Sequence, residues 1–385
     1  MPRVTRAGSV FAFLAVLALG ACQDAPPPEL RFGLVALLNG PYAGVSGIPS
    51  VEGATMAVDE LNAAGGVTIA GRSYRVRLIT RDMEDRPDAA ASAARALVNL
   101  DSVHALIGPQ FSAHAIPASG VAEDAQLPMI SPMASHPDLT RGKRFVFRLA
   151  YLDAVQGREL ARYACTQLAT HRGAMLYDAA TLYGREIARL FREEFTQCGG
   201  RIVADETFTT DQATDFAPQL RRVVASKAEV LLLPNLLLQD SIQVRQARAL
   251  GFRGRFLATD TWDPAGMIHV DEATGTLLVA QWDARLQRAA TQRFVARYRA
   301  AHPATPPRAT AALTYDAVLL VADAARRAGT LAGEPLAKAI AETTEFEGAG
   351  ATYRFAGRHD PERAGLLLVI GRGRDSLVSV SSLTP

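Results

Sequence analysis

The chain has 385 residues, 49% of them hydrophobic, with 41 Lys and Arg against 39 Asp and Glu, a formal net charge of +2 and three cysteines. Acids and bases are interspersed rather than segregated, so no basic face offers itself to nucleic acid, and none is expected as a partner. After the first 21 residues no apolar run approaches the roughly 20 residues a membrane helix needs, and the length suggests two domains.

In chain order, Arg3 and Arg6 precede an unbroken apolar run from Val10 to Leu19 and the small residues Gly20 and Ala21, the layout of a signal peptide over residues 1–21. That run is about half the length that spans a bilayer. Leu19-Gly20-Ala21-Cys22 resembles the bacterial lipobox, which implies lipidation of Cys22 and a membrane-anchored, periplasmic or extracytoplasmic location. Residues 22–29, with three consecutive prolines, read as a lipid-anchored linker, which need only be extended and solvated.

Short apolar runs then alternate with amphipathic stretches, the pattern of α/β units wound into parallel sheets. Leu30 to Leu37 reads as a strand. Glu52 to Ala64 reads as a helix with Ala54, Ala57, Val58 and Leu61 on one face, stopped by Gly65-Gly66. A strand at Tyr74 to Thr80, a helix at Pro87 to Leu100, a strand at Ala105 to Gly108, a helix at Ala113 to Asp124 and a strand at Met129 to Ser131 complete a first lobe. After Phe145 to Leu149 the cycle restarts. Helices at Gln156–Leu168, Tyr183–Gln197, Phe216–Ser226 and Asp240–Leu250 alternate with strands at Gly173–Tyr177, Arg201–Phe208, Val230–Leu233 and Arg255–Ala258. Beyond the strand Leu277–Val279 come helices at Gln292–Ala301 and Ala311–Ala328, then strands near Tyr353–Phe355 and Leu366–Ile370. The expected fold class is α/β, two doubly wound lobes with parallel central sheets.

In such sheets, loops at the carboxyl ends of parallel strands surround helix N-termini, whose free N–H groups and positive dipole ends attract carboxylates. Three loops there carry short polar residues. Gly108 to Ala113 presents Ser112, expected as an N-cap with its hydroxyl toward an anion. Ser131 to Ser135 presents Ser135, and Ala258 to Thr261 presents Asp260, one negative charge opposite an ammonium. Together they would make a receptor for a zwitterion. Tyr42, Tyr151 and Trp262 are candidate cleft residues, each of which could instead be core, and Leu236 is a candidate wall or simple packing. Cys165 and Cys198, on neighbouring helices in a compartment that permits disulfides, could pair or stand as separate buried thiols.

Asn39-Gly40-Pro41-Tyr42, Ala63-Ala64-Gly65-Gly66-Val67, Ile107-Gly108-Pro109, Pro128 to Pro132 with Pro137-Asp138-Leu139-Thr140, Asp178 to Gly184 and Arg245 to Gly251 together resemble the type I periplasmic binding proteins, in particular the leucine/isoleucine/valine-binding branch of ABC-transporter receptors. The resemblance covers nearly the whole chain after the leader. It implies two lobes joined by a three-strand hinge, with crossings near Leu149–Asp153, Gln281–Asp283 and Glu347–Thr352. Residues 30–150 plus 282–348 would then form lobe 1, and 151–281 plus 349–385 lobe 2. It implies that hydroxyls at Ser112 and Ser135 and backbone N–H groups beside them, as at Ala113, hold a ligand carboxylate. The carbonyl of Met133 and the acid Asp260 would hold the ammonium. A membrane permease and an ATPase are the implied partners. Where an aromatic gate often follows the strand ending at Pro234, this chain has Asn235-Leu236-Leu237-Leu238.

No P-loop, G-x-S-x-G, H-E-x-x-H or C-x-x-C occurs, and the seven histidines are scattered without ligand spacing. Neither an enzyme nor a metal or other cofactor is expected. A ligand sensor or envelope regulator on the same fold, and a receptor for a carboxylate or amide that is not an amino acid, stay open as alternatives.

Overall fold

The computed structural model describes Pro2 and residues 27–209, 214–363, 365–371 and 377–383; Cys22 and, but for Pro2, the leader lie outside the described residues. Among the described residues no helix is long and apolar enough to cross a membrane. The first lobe is built from β1 (Glu29–Ala36), α1 (Gly47–Ala63), β2 (Val67–Ile69), β3 (Arg72–Asp82), α2 (Pro87–Asn99), β4 (Ala105–Ile107), α3 (Ser112–Asp124), β5 (Met129–Ser131) and β6 (Val146–Arg148). Its six strands lie in the order β2-β3-β1-β4-β5-β6, all parallel except the β2–β3 pair. β1, β4 and β5 are buried on both faces, which is why they read as unbroken apolar runs rather than alternating ones.

The second lobe follows with α4 (Asp153–Thr166), β7 (Arg172–Asp178), α5 (Leu182–Gln197), β8 (Arg201–Phe208), α6 (Ala217–Ala225), β9 (Val230–Leu233), α7 (Leu237–Ala249), β10 (Arg255–Ala258), α8 (Pro264–Met267) and β11 (Leu277–Ala280). The chain then returns to the first lobe as α9 (Ala289–Ala301), α10 (Ala309–Ala328), α11 (Gly333–Ala341) and the hairpin β12 (Phe346–Glu347) and β13 (Thr352–Tyr353), and ends in the second sheet as β14 (Gly365–Ile370) and β15 (Leu377–Leu383). That sheet runs β15-β14-β11-β10-β9-β7-β8, and its last two strands are antiparallel. Each sheet is therefore parallel at its centre and antiparallel at one edge only. α1 lies directly against α10 because residue 53 is glycine: a Cβ there would come within 2.1 Å of the Ala311 carbonyl oxygen.

The boundary drawn at residue 349 needs correction. Ala349, Ala351, Tyr353 and Phe355 belong to the first lobe's core with Phe147 and Leu313, and His359 stacks on Phe147 with ring centroids 4.7 Å apart. Asp316 of α10 explains this placement, since its buried carboxylate accepts hydrogen bonds from the N–H groups of Ala349 and Gly350, both 2.6 Å, and from the Tyr353 hydroxyl at 2.8 Å. Glu347–Thr352 is thus the turn of a hairpin clamped to the first lobe, not a crossing. The chain crosses between lobes after β6, after β11 and at Arg363. Arg363, 5% exposed, donates to the carbonyls of Leu149 and Gln281 and so ties the three crossings together.

Candidate functional site

α3 starts at the end of β4, and its N-cap is Phe111 in an extended conformation rather than Ser112. Ser112 is instead the first helical residue, and its hydroxyl accepts from the His136 N–H at 3.2 Å. Among the described residues the N–H groups of Ser112 and Ala113 find no hydrogen-bond acceptor, as the geometry of a first helical turn dictates, and point the positive end of the helix at whatever lies ahead.

The Ser131–Ser135 turn is fixed from two sides. Ser131 donates its hydroxyl to the Pro109 carbonyl at 2.6 Å and accepts from the Ala134 N–H at 3.1 Å, joining it to the preceding loop. Arg148 at the end of β6, fully buried, donates to the carbonyls of Ala134 at 3.1 Å and His136 at 3.0 Å, on either side of Ser135, and to the Thr140 hydroxyl at 2.9 Å. Burial pulls the Arg148 pKa below its ordinary value, and the Asp360 carboxylate, 2.5 Å away, opposes that. A buried guanidinium is tolerated because its donors are satisfied and its charge is paired.

Across from these turns stands Asp260, just after β10. Its two carboxylate oxygens accept from the Tyr183 hydroxyl at 2.8 Å and the Gln281 side-chain amide at 2.6 Å, while its own N–H donates to the Gln156 side-chain oxygen at 3.1 Å. Burial raises the Asp260 carboxyl above the usual range, and the hydrogen bonds from Gln281 and Tyr183 hold it back toward the ionised form. Those bonds occupy one acceptor site on each oxygen, leaving lone pairs for an ammonium.

Between the two faces lies a cleft of about 740 Å³. Ser112, Ala113, Met133, Ser135 and Tyr42 line it from the first lobe and Asp260 and Leu236 from the second. Tyr42 packs edge-on against Phe111, centroids 6.4 Å apart, and Leu236 reaches over to pack on the first lobe's apolar cluster around Tyr42. Trp262 also lines the cleft while donating its indole N–H to the Leu233 carbonyl. Tyr151 does not line it, a correction to the expectation. Its ring is packed in the second lobe's core, 4% exposed, under the Arg363 guanidinium. From the second lobe the tyrosine that reaches the cleft is Tyr183, at the start of α5. At the far end an ion pair spans the gap, Arg308 before α10 with Asp263 before α8.

One buried acid lies behind this surface. Asp153, the first residue of α4, has no exposed surface and no well-formed hydrogen bond to either carboxylate oxygen. Its N–H donates to the Ser135 carbonyl at 3.2 Å, which sets the two residues side by side. Burial pushes the Asp153 carboxyl up to about 7, against the pull of Ser135 and with the help of the Asp260 charge.

Sequence reading missed Tyr183, Gln156, Gln281, Arg148 and Asp153, which hold the site from behind. Only Asp178–Gly184 carried a signal, as a motif that includes Tyr183 without assigning it a role. Cys165 and Cys198 are bonded as a disulfide between α4 and α5, with Cα atoms 6.3 Å apart, and neither lines the cleft. Among the described residues no group of three or more His, Cys, Asp or Glu is arranged to hold a metal ion.

The sequence profile of the family described as periplasmic binding protein matches residues 29–374. The chain is similar to the leucine-specific-binding protein of Salmonella typhimurium, 26% identical over 324 residues that cover 84% of this chain and 86% of that one. Among solved structures it is similar to a leucine binding protein from Thermotoga maritima, with a TM-score of 0.84, 26% identity and coverage of 92% and 99%. It is equally similar to a branched-chain amino acid transporter substrate binding protein from Streptococcus pneumoniae in complex with isoleucine, with a TM-score of 0.84, 28% identity and coverage of 93% and 100%.

Proposed function

The chain belongs to the periplasmic binding protein family, whose matched members are solute-binding proteins rather than enzymes, and on that premise we propose that it is the receptor of an ABC importer for an apolar amino acid. The observation that carries the reading is the opposition of chemistry across the cleft. Two hydroxyls and two free N–H groups at a helix N-terminus face from one lobe, and a carboxylate with spare lone pairs faces from the other. An α-amino acid has its carboxylate and ammonium on one carbon and satisfies both sides at once. Its side chain would then run along the Tyr42, Phe111, Leu236 and Trp262 wall, which is apolar apart from the tyrosine hydroxyl and the indole N–H.

Each lobe holds one half of the polar shell, so ligand favours the form in which the lobes meet, and closure about the three crossings is the signal passed on. The Arg308–Asp263 pair and the Leu236 contact would be made on closing and broken on opening. A membrane permease and an ATPase would read the closed form, and lipid on Cys22 would keep the receptor at the membrane. Relatives named for leucine and for isoleucine support this class of ligand.

The test is a thermal-shift screen of amino acids, amides, short-chain carboxylates and aromatic acids, followed by titration of Asp260→Ala. A bound ligand raises the melting temperature by mass action. Removing Asp260 should weaken an amino acid by more than about tenfold, or 1.4 kcal/mol. Unchanged affinity would mean that no ammonium sits there and would favour a plain carboxylate or an uncharged solute.

A further inference from the structure

We propose that Asp153 is a positioning residue for the ligand site: in its protonated form it donates to the Ser135 hydroxyl, which turns that hydroxyl's own proton toward the ligand carboxylate, so ligand and proton bind together. The inference rests on the reading that a carboxylate is held at Ser135, and extends it to a coupling with pH.

A serine hydroxyl has one proton to give and can accept as well. With Asp153 ionised, that proton is drawn to the aspartate, and Ser135 can show an incoming carboxylate only lone pairs, with a second buried negative charge behind them. With a proton taken from solvent onto Asp153, the direction of the chain reverses. The acid donates to the Ser135 oxygen, and the serine proton is free for the ligand.

The geometry holds the two residues in register. Asp153 N–H is bonded to the Ser135 carbonyl at 3.2 Å, and the turn cannot swing away because Arg148 grips the carbonyls of Ala134 and His136 on either side of Ser135. Asp153 is fully buried, and neither of its carboxylate oxygens makes a hydrogen bond among the described residues, so no other partner holds the acid away from Ser135. The charged and titratable groups facing it are Arg148 from β6, Glu186 and Tyr183 from α5, and Asp260 from the end of β10. The acids outnumber the single arginine, which is itself engaged by Asp360, so the surroundings favour the neutral acid, in keeping with a pKa raised to about 7. His114 and His136, also on this side of the cleft, have pKa values lowered by burial.

The experiment is calorimetric titration of the wild-type protein and Asp153→Asn with L-leucine between pH 6 and 8.5, in buffers of different ionisation enthalpy. Asn can donate to Ser135 at any pH. The wild type should bind with uptake approaching one proton per ligand by about pH 8, and its affinity should fall toward tenfold per pH unit above about 7.5. Asp153→Asn should bind with no uptake and a flat profile. Titration of Asp260 would act in the opposite sense, because an ammonium prefers the ionised acid. A flat wild-type profile without proton uptake, or the same slope in Asp153→Asn, would overturn the proposal while leaving the ligand reading intact. Should L-leucine give no heat with either protein, the ligand reading fails, and infrared difference spectra decide this one. A carboxylic-acid band present in ligand-free wild type at pH 6, lost by pH 8.5, absent in Asp153→Asn and shifted in Ser135→Ala supports it; no such band refutes it.

Discussion

Replacing Asp153 with Asn should stabilise the ligand-free protein at neutral and alkaline pH, by an amount that follows from where the carboxyl titrates. Folded, it titrates near 7, while its ordinary value is 3.8. Between those values the folded chain carries a proton that the unfolded chain has released, so the wild type loses stability as pH rises from about 4 and reaches its full penalty above about 7. The gap between 3.8 and about 7 corresponds to about 4 kcal/mol, and because the group is fully buried solvent does little to screen it. Asn avoids that cost. Any constant loss from the altered hydrogen bonding at Ser135 cancels when the two proteins are compared at two pH values. Urea unfolding of both at pH 4.5 and pH 8 reads the difference directly. The advantage of Asp153→Asn should grow between those pH values by about 3–4 kcal/mol. A difference that does not change with pH would show that Asp153 ionises normally in the fold, and the reasoning from its burial would be wrong.

Three other variants probe the frame around the site. Arg363→Met leaves the buried carbonyls of Leu149 and Gln281 without donors and should cost about 3 kcal/mol in urea unfolding, whereas a cost within error would mean that the three crossings are held by packing alone. Changing Cys165 and Cys198 both to Ser opens a loop spanning 33 residues and should lower stability by about 3–4 kcal/mol in the chain-entropy account, with ligand affinity unchanged because neither residue lines the cleft. Leu236→Trp fills space at the cleft wall and should shift preference from leucine toward valine in competitive titrations; an unaltered ratio would place the ligand side chain elsewhere.

The fold was legible because its information is carried by repeated local patterns. β1, β4 and β9 are buried on both faces and announce themselves as apolar runs, and Gly65-Gly66 closes α1 where the apolar spacing stops. α1 nevertheless begins at Gly47, ahead of the expected Glu52, because Gly47, Pro49 and Ser50 are buried by packing that periodicity does not encode. β2, α11 and β15 went unread. β2 has only three residues, and β15 mixes serine with its apolar residues.

The cleft-facing side chains were readable from their place at strand ends, since Ser112, Ser135 and Asp260 each follow a buried strand. Their supports were not. Gln156, Gln281 and Arg148 act across sequence separations of 104, 21 and 14 residues, and nothing in their neighbours along the chain marks them. The third crossing was misplaced for the same reason, because the carboxylate that pins 349–350 belongs to Asp316, 33 residues earlier.

The most direct measurement is a calorimetric comparison of L-leucine with two relatives that each lack one charge, 4-methylpentanoate without the ammonium and leucinamide without the carboxylate. Tight binding of L-leucine, with each analogue weakened by at least about a hundredfold, or some 2.7 kcal/mol, is the outcome expected from two lobes that each grip one charge. Equal affinity for all three, or for leucine and either analogue, would contradict it.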